Sequence, residues 1–145
     1  MIGVYLSGTG NTKHCIEKLI YLLDETAQAV PIEGKETVRL LSQHEFIVLA
    51  YPVQFSNAPV MVRNFIKDNS ELWKNKQVLC VATMGLFSGD GAGCSARLLK
   101  KCGASIVGGL HICMPDSICD VKLLKRSVEK NREIRKAADR KIEKC

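Results

Sequence analysis

Short uninterrupted apolar runs punctuate this chain at regular intervals. The clearest runs lack the polar alternation of a half-exposed strand, so they predict strands that are buried on both faces of a sheet. The predicted strands cover residues 2–6, 27–32, 46–50, 78–83 and 105–113. The last of them contains Gly108-Gly109, which predicts a bulge or a close approach of another backbone.

Between these runs, apolar residues recur at helical spacing. The first such segment places Ile16, Leu19, Ile20 and Leu23 on one face and its charged residues on the other. The predicted helices cover residues 11–25, 36–42, 58–69, 94–101 and 121–144. Asn57 is expected to cap the third helix with Pro59 in its first turn, and Gly103 to terminate the fourth.

The alternation of strands and helices predicts the fold class. Parallel strands need crossover connections, and right-handed crossovers place helices on both faces of the sheet. We therefore expect an α/β protein with a doubly wound, five-stranded parallel sheet, formed by one domain over residues 1–145. Ligands of such sheets bind beyond the carboxyl ends of the strands, where the strand order reverses.

The cysteines and apolar runs limit the other classes of protein. Seven cysteines are present, an odd number without any C-x-x-C pair, which favours reduced thiols in the cytoplasm over a disulfide framework, a metal site or an iron-sulfur cluster. Each apolar run is shorter than a membrane span, and Met1 leads directly into a strand. We expect neither membrane insertion nor export.

The net charge of +6 is concentrated near the end of the sequence. Residues 120–145 hold ten Lys and Arg against five Asp and Glu, whereas residues 1–119 hold eleven against ten. A helix over residues 121–144 would be about 36 Å long and would overhang the sheet. Since no aromatic residue follows Asp120 to stack on bases, we expect an acidic protein partner rather than nucleic acid.

The turn between the first strand and first helix has the character of a phosphate site. It reads Ser7-Gly8-Thr9-Gly10-Asn11-Thr12. Its glycines allow close backbone approach, its hydroxyls can donate to phosphate oxygens, and the start of the helix attracts an anion. It lacks the Gly-Lys-Ser/Thr sequence of a Walker loop.

This loop resembles the phosphate loop of flavodoxins, Ser/Thr-x-Thr-Gly-x-Thr, at every fixed position. The resemblance implies the flavodoxin-like strand order 2-1-3-4-5 and an FMN cofactor whose phosphate the loop would hold. Two further loops resemble the flavodoxin segments around the isoalloxazine ring. Their candidate cofactor-binding residues are Pro52, Val53, Gln54, Phe55, Ser56 and Asn57 in one loop, and Thr83, Met84, Gly85, Phe87, Gly89 and Asp90 in the other.

Within these loops, Phe55 and Phe87 are the candidate ring contacts, although flavodoxins more often use Trp or Tyr. Ser56-Asn57 stands where many flavodoxins have a glycine beside the flavin N5, so a peptide flip there is an open question. Asp90 is the one acidic residue expected near the ring, in contrast to the acidic surroundings typical of the family.

The leading hypothesis is an FMN-binding electron-transfer protein, because the phosphate loop is present and no general acid, nucleophile or substrate pocket is evident in the sequence. Its expected partner is a separate redox protein, with a ferredoxin-like protein as one candidate. The alternative is an FMN-dependent oxidoreductase that reduces a quinone or another small molecule with NAD(P)H. A weaker alternative is an interaction domain without flavin.

Overall fold

The computed structural model describes residues 1–116 and 126–145. Five β-strands and five α-helices alternate along this part of the chain. The strands are β1 (Ile2–Tyr5), β2 (Gln28–Pro31), β3 (Phe46–Pro52), β4 (Gln77–Met84) and β5 (Ser105–Cys113). The helices are α1 (Asn11–Leu23), α2 (Thr37–Ser42), α3 (Val60–Asp68), α4 (Gly91–Lys101) and α5 (Val128–Ile142), and a 3-10 turn spans Ser70–Trp73.

The described strands form one sheet in the order β2-β1-β3-β4-β5. All neighbouring strands are parallel. The expected doubly wound sheet with strand order 2-1-3-4-5 is therefore confirmed. The order reverses at β1, because β2 lies on one side of it and β3 and the later strands lie on the other.

Both faces of the sheet are covered, as the apolar runs predict. In β3, Ile47 and Leu49 belong to one core, which also contains Trp73 of the 3-10 turn. Val48, between them in sequence, belongs to the opposite core, which also contains Ile16 of α1. Alternate residues of a buried parallel strand thus pack under different helices, which explains the absence of polar residues in these runs.

The bulge expected in β5 is present. Val78 of β4 pairs with Ile106, whereas the next residue, Leu79, pairs with Gly108. Val107 is the extra residue between these two pairs. The bulge leaves β5 in parallel register with β4 as far as Cys113, so both strands reach the same edge of the sheet.

Several element ends differ from the expected positions. Helix α1 stops at Leu23 rather than residue 25, because the Asp24 carboxylate accepts hydrogen bonds from the backbone N–H and hydroxyl of Thr26. This local turn competes with further helix. The edge strand β2 is also shorter than predicted and ends at Pro31, a residue that an edge strand tolerates.

The expected cap of α3 is wrong. Helix α3 begins at Val60 after Pro59, and it has no side-chain cap. The side-chain oxygen of Asn57 instead accepts a hydrogen bond at 2.8 Å from the backbone N–H of Ala58. The predicted end of this helix near Asn69 and the termination of α4 before Gly103, which has a left-handed φ of +86°, are confirmed.

Helix α5 begins later than predicted. Residues 121–125 of the predicted helix lie outside the described residues, and the Ser127 hydroxyl caps α5 by accepting from the backbone N–H of Lys130 at 3.2 Å. The length of about 36 Å is therefore wrong, since the fifteen residues of α5 extend about 22 Å at about 1.5 Å each. Val128, the first residue of α5, is exposed.

The expected overhang of the distal part of α5 is also wrong. Ala138 and Ile142 are buried in the core that contains α1. Above them, His14 Nε2 lies 2.8 Å from Asp139 Oδ1, and Lys18 Nζ lies 2.6 Å from Glu143 Oε1. Helix α5 is thus fixed along α1. No helix in the described ranges is long and apolar enough to cross a membrane.

Candidate functional site

A cleft of about 470 Å³ opens at the carboxyl edge of the sheet, at the strand-order reversal. Its floor is formed by residues at or just beyond the ends of β1, β3, β4 and β5, namely Leu6, Pro52, Thr83 and Met114. Its volume lies within the range of small-molecule and cofactor pockets, about 300 to 1,000 Å³. The position is the one expected for a ligand of a doubly wound sheet.

One wall of the cleft is the loop from Ser7 to Thr12, which starts α1. Gly10 has a left-handed φ of +88° and accepts the first helical hydrogen bond, from the backbone N–H of His14. Within the described ranges, the backbone N–H groups of Gly8 and Gly10 have no hydrogen-bond partner. A Cβ added at either glycine would meet no atom within 4 Å. The loop therefore presents open space and backbone donors beside a helix N-terminus, which suits an anion.

Two buried threonines connect this wall to β4. The hydroxyl oxygens of Thr12 and Thr83 are 2.8 Å apart, and both residues line the cleft. A hydroxyl has one proton, so one proton of the pair serves the hydrogen bond between them. The other proton remains to donate to a ligand in the cleft.

The loop after β3 closes through a tight turn. Gln54 and Asn57 exchange two backbone hydrogen bonds of 2.9 Å, and the residues between them, Phe55 and Ser56, have positive φ angles of 48° and 59°. Two consecutive positive φ values identify a type I′ turn. The Phe55 side chain is fully exposed at its tip.

The loop after β4 supports this turn from outside. A Cβ added at Gly89 would lie 2.4 Å from Ser56 Cβ, and one added at Gly91 would lie 2.6 Å from Val53 Cγ2. Below them, the buried Tyr51 hydroxyl donates to the Gly91 carbonyl at 2.9 Å. Burial raises the pKa of this phenol, so it stays protonated as a donor. The two loops are thus in direct contact.

Asp90 and Ser88 are engaged by side chains outside the cleft. The Asp90 carboxylate forms an ion pair with Arg97 of α4, and this hydrogen bond holds the pKa of Asp90 below its usual value. The Ser88 hydroxyl lies 2.6 Å from His111 Nδ1 of β5. Neither Ser88 nor Asp90 lines the cleft.

The sequence model for the flavodoxin domain matches residues 2–103, which include the phosphate loop and both further loops. This match covers more than half of the 145-residue chain. The chain belongs to the flavodoxin-domain family. No curated protein matches the sequence.

Solved flavodoxin structures share the fold. The two-electron reduced flavodoxin of Megasphaera elsdenii superposes with a TM-score of 0.69 at 24% identity, over 86% of this chain and 95% of that one. A flavodoxin from the domain Archaea gives 0.65 at 18% identity, over 98% and 97% of the two chains. The Fusobacterium nucleatum flavodoxin bound to flavin mononucleotide gives 0.59 at 21% identity, over 73% and 68%.

The structure brings most of the predicted flavodoxin-site residues together around the cleft. Those that line it are Ser7, Gly8, Thr9, Asn11, Thr12, Pro52, Val53, Gln54, Thr83, Met84 and Gly85. The predicted residues outside its lining are Gly10, Phe55, Ser56, Asn57, Phe87, Gly89 and Asp90. Gly10 belongs to the phosphate loop and directly precedes α1, and the others belong to the two contacting loops at the rim.

Besides Leu6 after β1, two parts of the cleft lining were not among the predicted site residues. One is the start of α3, with Pro59, Val60 and Met61, and the other is the segment after β5, with Met114, Pro115 and Asp116. The segment after β5 could have been predicted to line the cleft. Met114 directly follows a predicted strand, and the carboxyl ends of parallel strands lie at the same edge of the sheet, where ligands bind. Asp116 replaces Asp90 as the acidic residue of the cleft, and a Cβ added at Gly85 would lie 3.3 Å from its Oδ1.

Proposed function

We propose that this protein binds FMN in the cleft and transfers electrons between the bound flavin and a redox protein. The observation that carries this proposal is the phosphate loop, which is open at Gly8 and Gly10 and borders a cleft at the strand-order reversal. Membership in the flavodoxin-domain family and the FMN-bound relative from Fusobacterium nucleatum support the choice of ligand.

The phosphate of FMN would lie against the loop from Ser7 to Thr12. Backbone N–H groups, the positive end of α1 and neutral hydroxyls would bind it without a lysine or arginine in that loop. The Ser7 hydroxyl already accepts a hydrogen bond of 3.2 Å from the backbone N–H of Lys13. This contact leaves the Ser7 hydroxyl proton available to a phosphate oxygen.

The ring system would lie between the two loops that follow β3 and β4. The lining there combines apolar groups such as Val53 and Met84 with the polar Gln54 side chain, a composition suited to a planar heteroaromatic ring. Phe55 and Phe87 are exposed at the rim, so we propose them as contacts for an exposed edge of the flavin. Bound FMN would supply the redox chemistry, while these residues orient it and restrict water.

Electron transfer to a protein fits this site better than catalysis on a small substrate. Among the described residues that line the cleft, Asp116 is the single ionisable side chain. Phe55, Leu86 and Phe87 are exposed beside the cleft and offer an apolar surface to a partner protein. We propose a ferredoxin-like redox protein as that partner and the cytoplasm as the location.

Titration with FMN tests the proposal directly. The purified protein should become yellow, quench flavin fluorescence and give a one-to-one binding isotherm in calorimetry. A protein that shows no heat and no quenching with excess FMN would contradict the proposed cofactor. With FMN bound, NAD(P)H oxidation by a quinone should not exceed the rate given by free FMN, whereas a much faster turnover would favour the oxidoreductase alternative.

A further inference from the structure

A second groove lies outside the phosphate loop, between that loop and the beginning of α5. It has a volume of about 440 Å³. It shares Thr9, Asn11, Pro115 and Asp116 with the main cleft. Its remaining lining residues belong to α5 and are Val128, Asn131, Arg132 and Arg135. Because the two spaces meet at the phosphate loop, bound groups could lie side by side across it.

Two arginines give this groove its chemical character. Arg132 and Arg135 are three residues apart on α5 and therefore lie on the same side of the helix. Neither forms an ion pair within residues 1–116 and 126–145. Guanidinium groups donate in a fork that matches phosphate oxygens and have no acceptor of their own.

The charge balance of the groove also favours an anion. Asp116 is the single acidic residue in the described lining, against Arg132 and Arg135, which leaves a net charge of +1. Asp116 lies where the groove meets the main cleft, beside Gly85 of the loop after β4. An anion bound to the two arginines would therefore lie toward α5.

Contacts with α1 hold the C-terminal half of the helix that forms the groove wall. Three residues after Arg135, Ala138 is buried against the α1 side of the sheet, and Asp139 is hydrogen-bonded to His14 of α1. Helix α1 also begins at the phosphate loop, so one helix positions both sides of the groove. The groove-lining residues Arg132 and Arg135 precede these contacts in the same helix.

We propose that this groove is a subsite for the phosphoryl group of a nucleotide, held by Arg132 and Arg135 next to the phosphate of FMN. The proposal deepens the proposed FMN function and rests on it for the position of the first phosphate. The phosphoryl group could belong to the adenylate half of FAD or to a separate nucleotide such as ADP. In both cases the chemistry is the same, a phosphate bound by two arginines.

Calorimetry with ADP tests the subsite in both the FMN-loaded and the FMN-free protein. The variant Arg132→Gln/Arg135→Gln should weaken ADP binding about tenfold or more, the loss expected for charge-assisted hydrogen bonds. Lys136→Gln/Arg140→Gln removes the same charge from α5 outside the groove, and it should change ADP affinity less than about twofold. Adenosine, which has no phosphate, should give no measurable heat.

Competition between FAD and FMN then identifies the source of the phosphate. If FAD displaces FMN and loses affinity in the groove variant, the subsite takes the adenylate half of FAD. If ADP binds to the FMN-loaded protein, it takes a separate nucleotide. The proposal is overturned if neither ADP nor FAD depends on the two arginines, or if the control variant loses as much affinity. If the protein binds ADP through the two arginines but does not bind FMN, the proposed FMN function is contradicted and the arginine subsite is not.

Discussion

The buried threonine pair offers a test in which stability and ligand affinity respond differently. Thr12 and Thr83 are only 2% and 3% exposed, and their hydroxyl oxygens are 2.8 Å apart. Replacing either threonine with valine keeps the shape but leaves the other hydroxyl without this partner. Each single substitution should lower the free energy of unfolding by about 1 to 3 kcal/mol.

The double variant Thr12→Val/Thr83→Val should be more stable than the sum of its single losses. With both hydroxyls removed, neither is left unpaired, and the double variant should lie within about 1 kcal/mol of the wild type. The coupling energy, which is the sum of the two single losses minus the loss in the double variant, is then about 1 to 6 kcal/mol. Urea unfolding without FMN measures it.

Affinity for FMN should follow the opposite order. In each single variant, the remaining threonine hydroxyl has lost its partner, so its proton can donate to the ligand. The FMN affinity of each single variant should therefore stay near the wild-type value. The double variant has no such proton, and its affinity should fall about tenfold if one charge-assisted hydrogen bond to the ligand is lost. Quenching of flavin fluorescence measures this difference.

Thr37→Val provides a matched control away from the cleft. Thr37 is buried, and its hydroxyl donates to the Pro31 carbonyl at 2.7 Å. Its substitution should reduce stability by a comparable amount, about 1 to 3 kcal/mol, and leave FMN affinity unchanged. Additive stability losses in the Thr12 and Thr83 cycle would show that the hydroxyls do not pair, and unchanged FMN affinity in the double variant would refute their role as a donor.

Three further predictions concern the loop, the contact between α1 and α5, and the partner. Gly10→Ala should destabilise the protein by about 1 kcal/mol, because residue 10 has a positive φ. Gly8→Ala should unfold in urea like the wild type but should bind FMN more weakly, because the added Cβ would enter the open space of the phosphate loop. Burial raises the pKa of Asp139, but hydrogen bonds from His14 and Lys18 bring it below the ordinary value of 3.8. A carboxyl group with a lowered pKa in the folded state stabilises the fold at pH values above its unfolded-state pKa. The wild type should lose this stabilisation below about pH 4, whereas Asp139→Asn should show no such loss. Stopped-flow reduction by an acidic, ferredoxin-like protein should slow as salt rises, and this dependence should weaken when basic residues of α5 are neutralised; a flat salt response would remove α5 from partner recognition. The residues to neutralise are Arg135, Lys136, Arg140 and Lys141.

The order of elements could be predicted because the inner strands β1, β3 and β4 are largely buried on both faces. A run such as Ile47 to Leu49 places neighbouring residues in different cores, so polar substitutions are excluded at every position and the strand is visible in the sequence. The bulge in β5 was also visible, as Gly108-Gly109. The apolar runs and the glycine pair are visible in short stretches of sequence. The apolar runs arise because helices cover both faces of a doubly wound sheet.

The entrance to α3 could not be predicted from residue preferences. Asn57 is a good helix cap in general, but here it closes a type I′ turn with Gln54 and bonds to Ala58. The central residues of that turn, Phe55 and Ser56, are poor candidates for positive φ. Contact of Ser56 with Gly89, a residue distant in sequence, accompanies the turn, so tertiary packing overrides the local preference.

The buried positions of α5 could not be predicted, because charged residues surround them in the sequence. The sequence indicated a solvated, overhanging end, yet Ala138 and Ile142 lie in the core. The charged residues that follow each of them, Asp139 and Glu143, pair with His14 and Lys18 of α1. The Asp139 carboxylate is hydrogen-bonded to His14 of α1. Two small or medium apolar residues, four apart, suffice to anchor a helix whose remaining faces are polar.

This anchoring gives two successive parts of α1 different functions. Its first turn completes the phosphate loop, and its second and third turns hold α5 through His14 and Lys18. A change in the phosphate loop and a change in the α5 contact therefore act on the same rigid helix. Since α5 carries Arg132 and Arg135 beside that loop, loss of the Asp139 contact should weaken ADP binding at the groove more than FMN binding in the cleft. In the proposed site, the FMN phosphate would contact only the phosphate loop and the start of α1, whereas a group in the groove would depend on the positions of both α1 and α5.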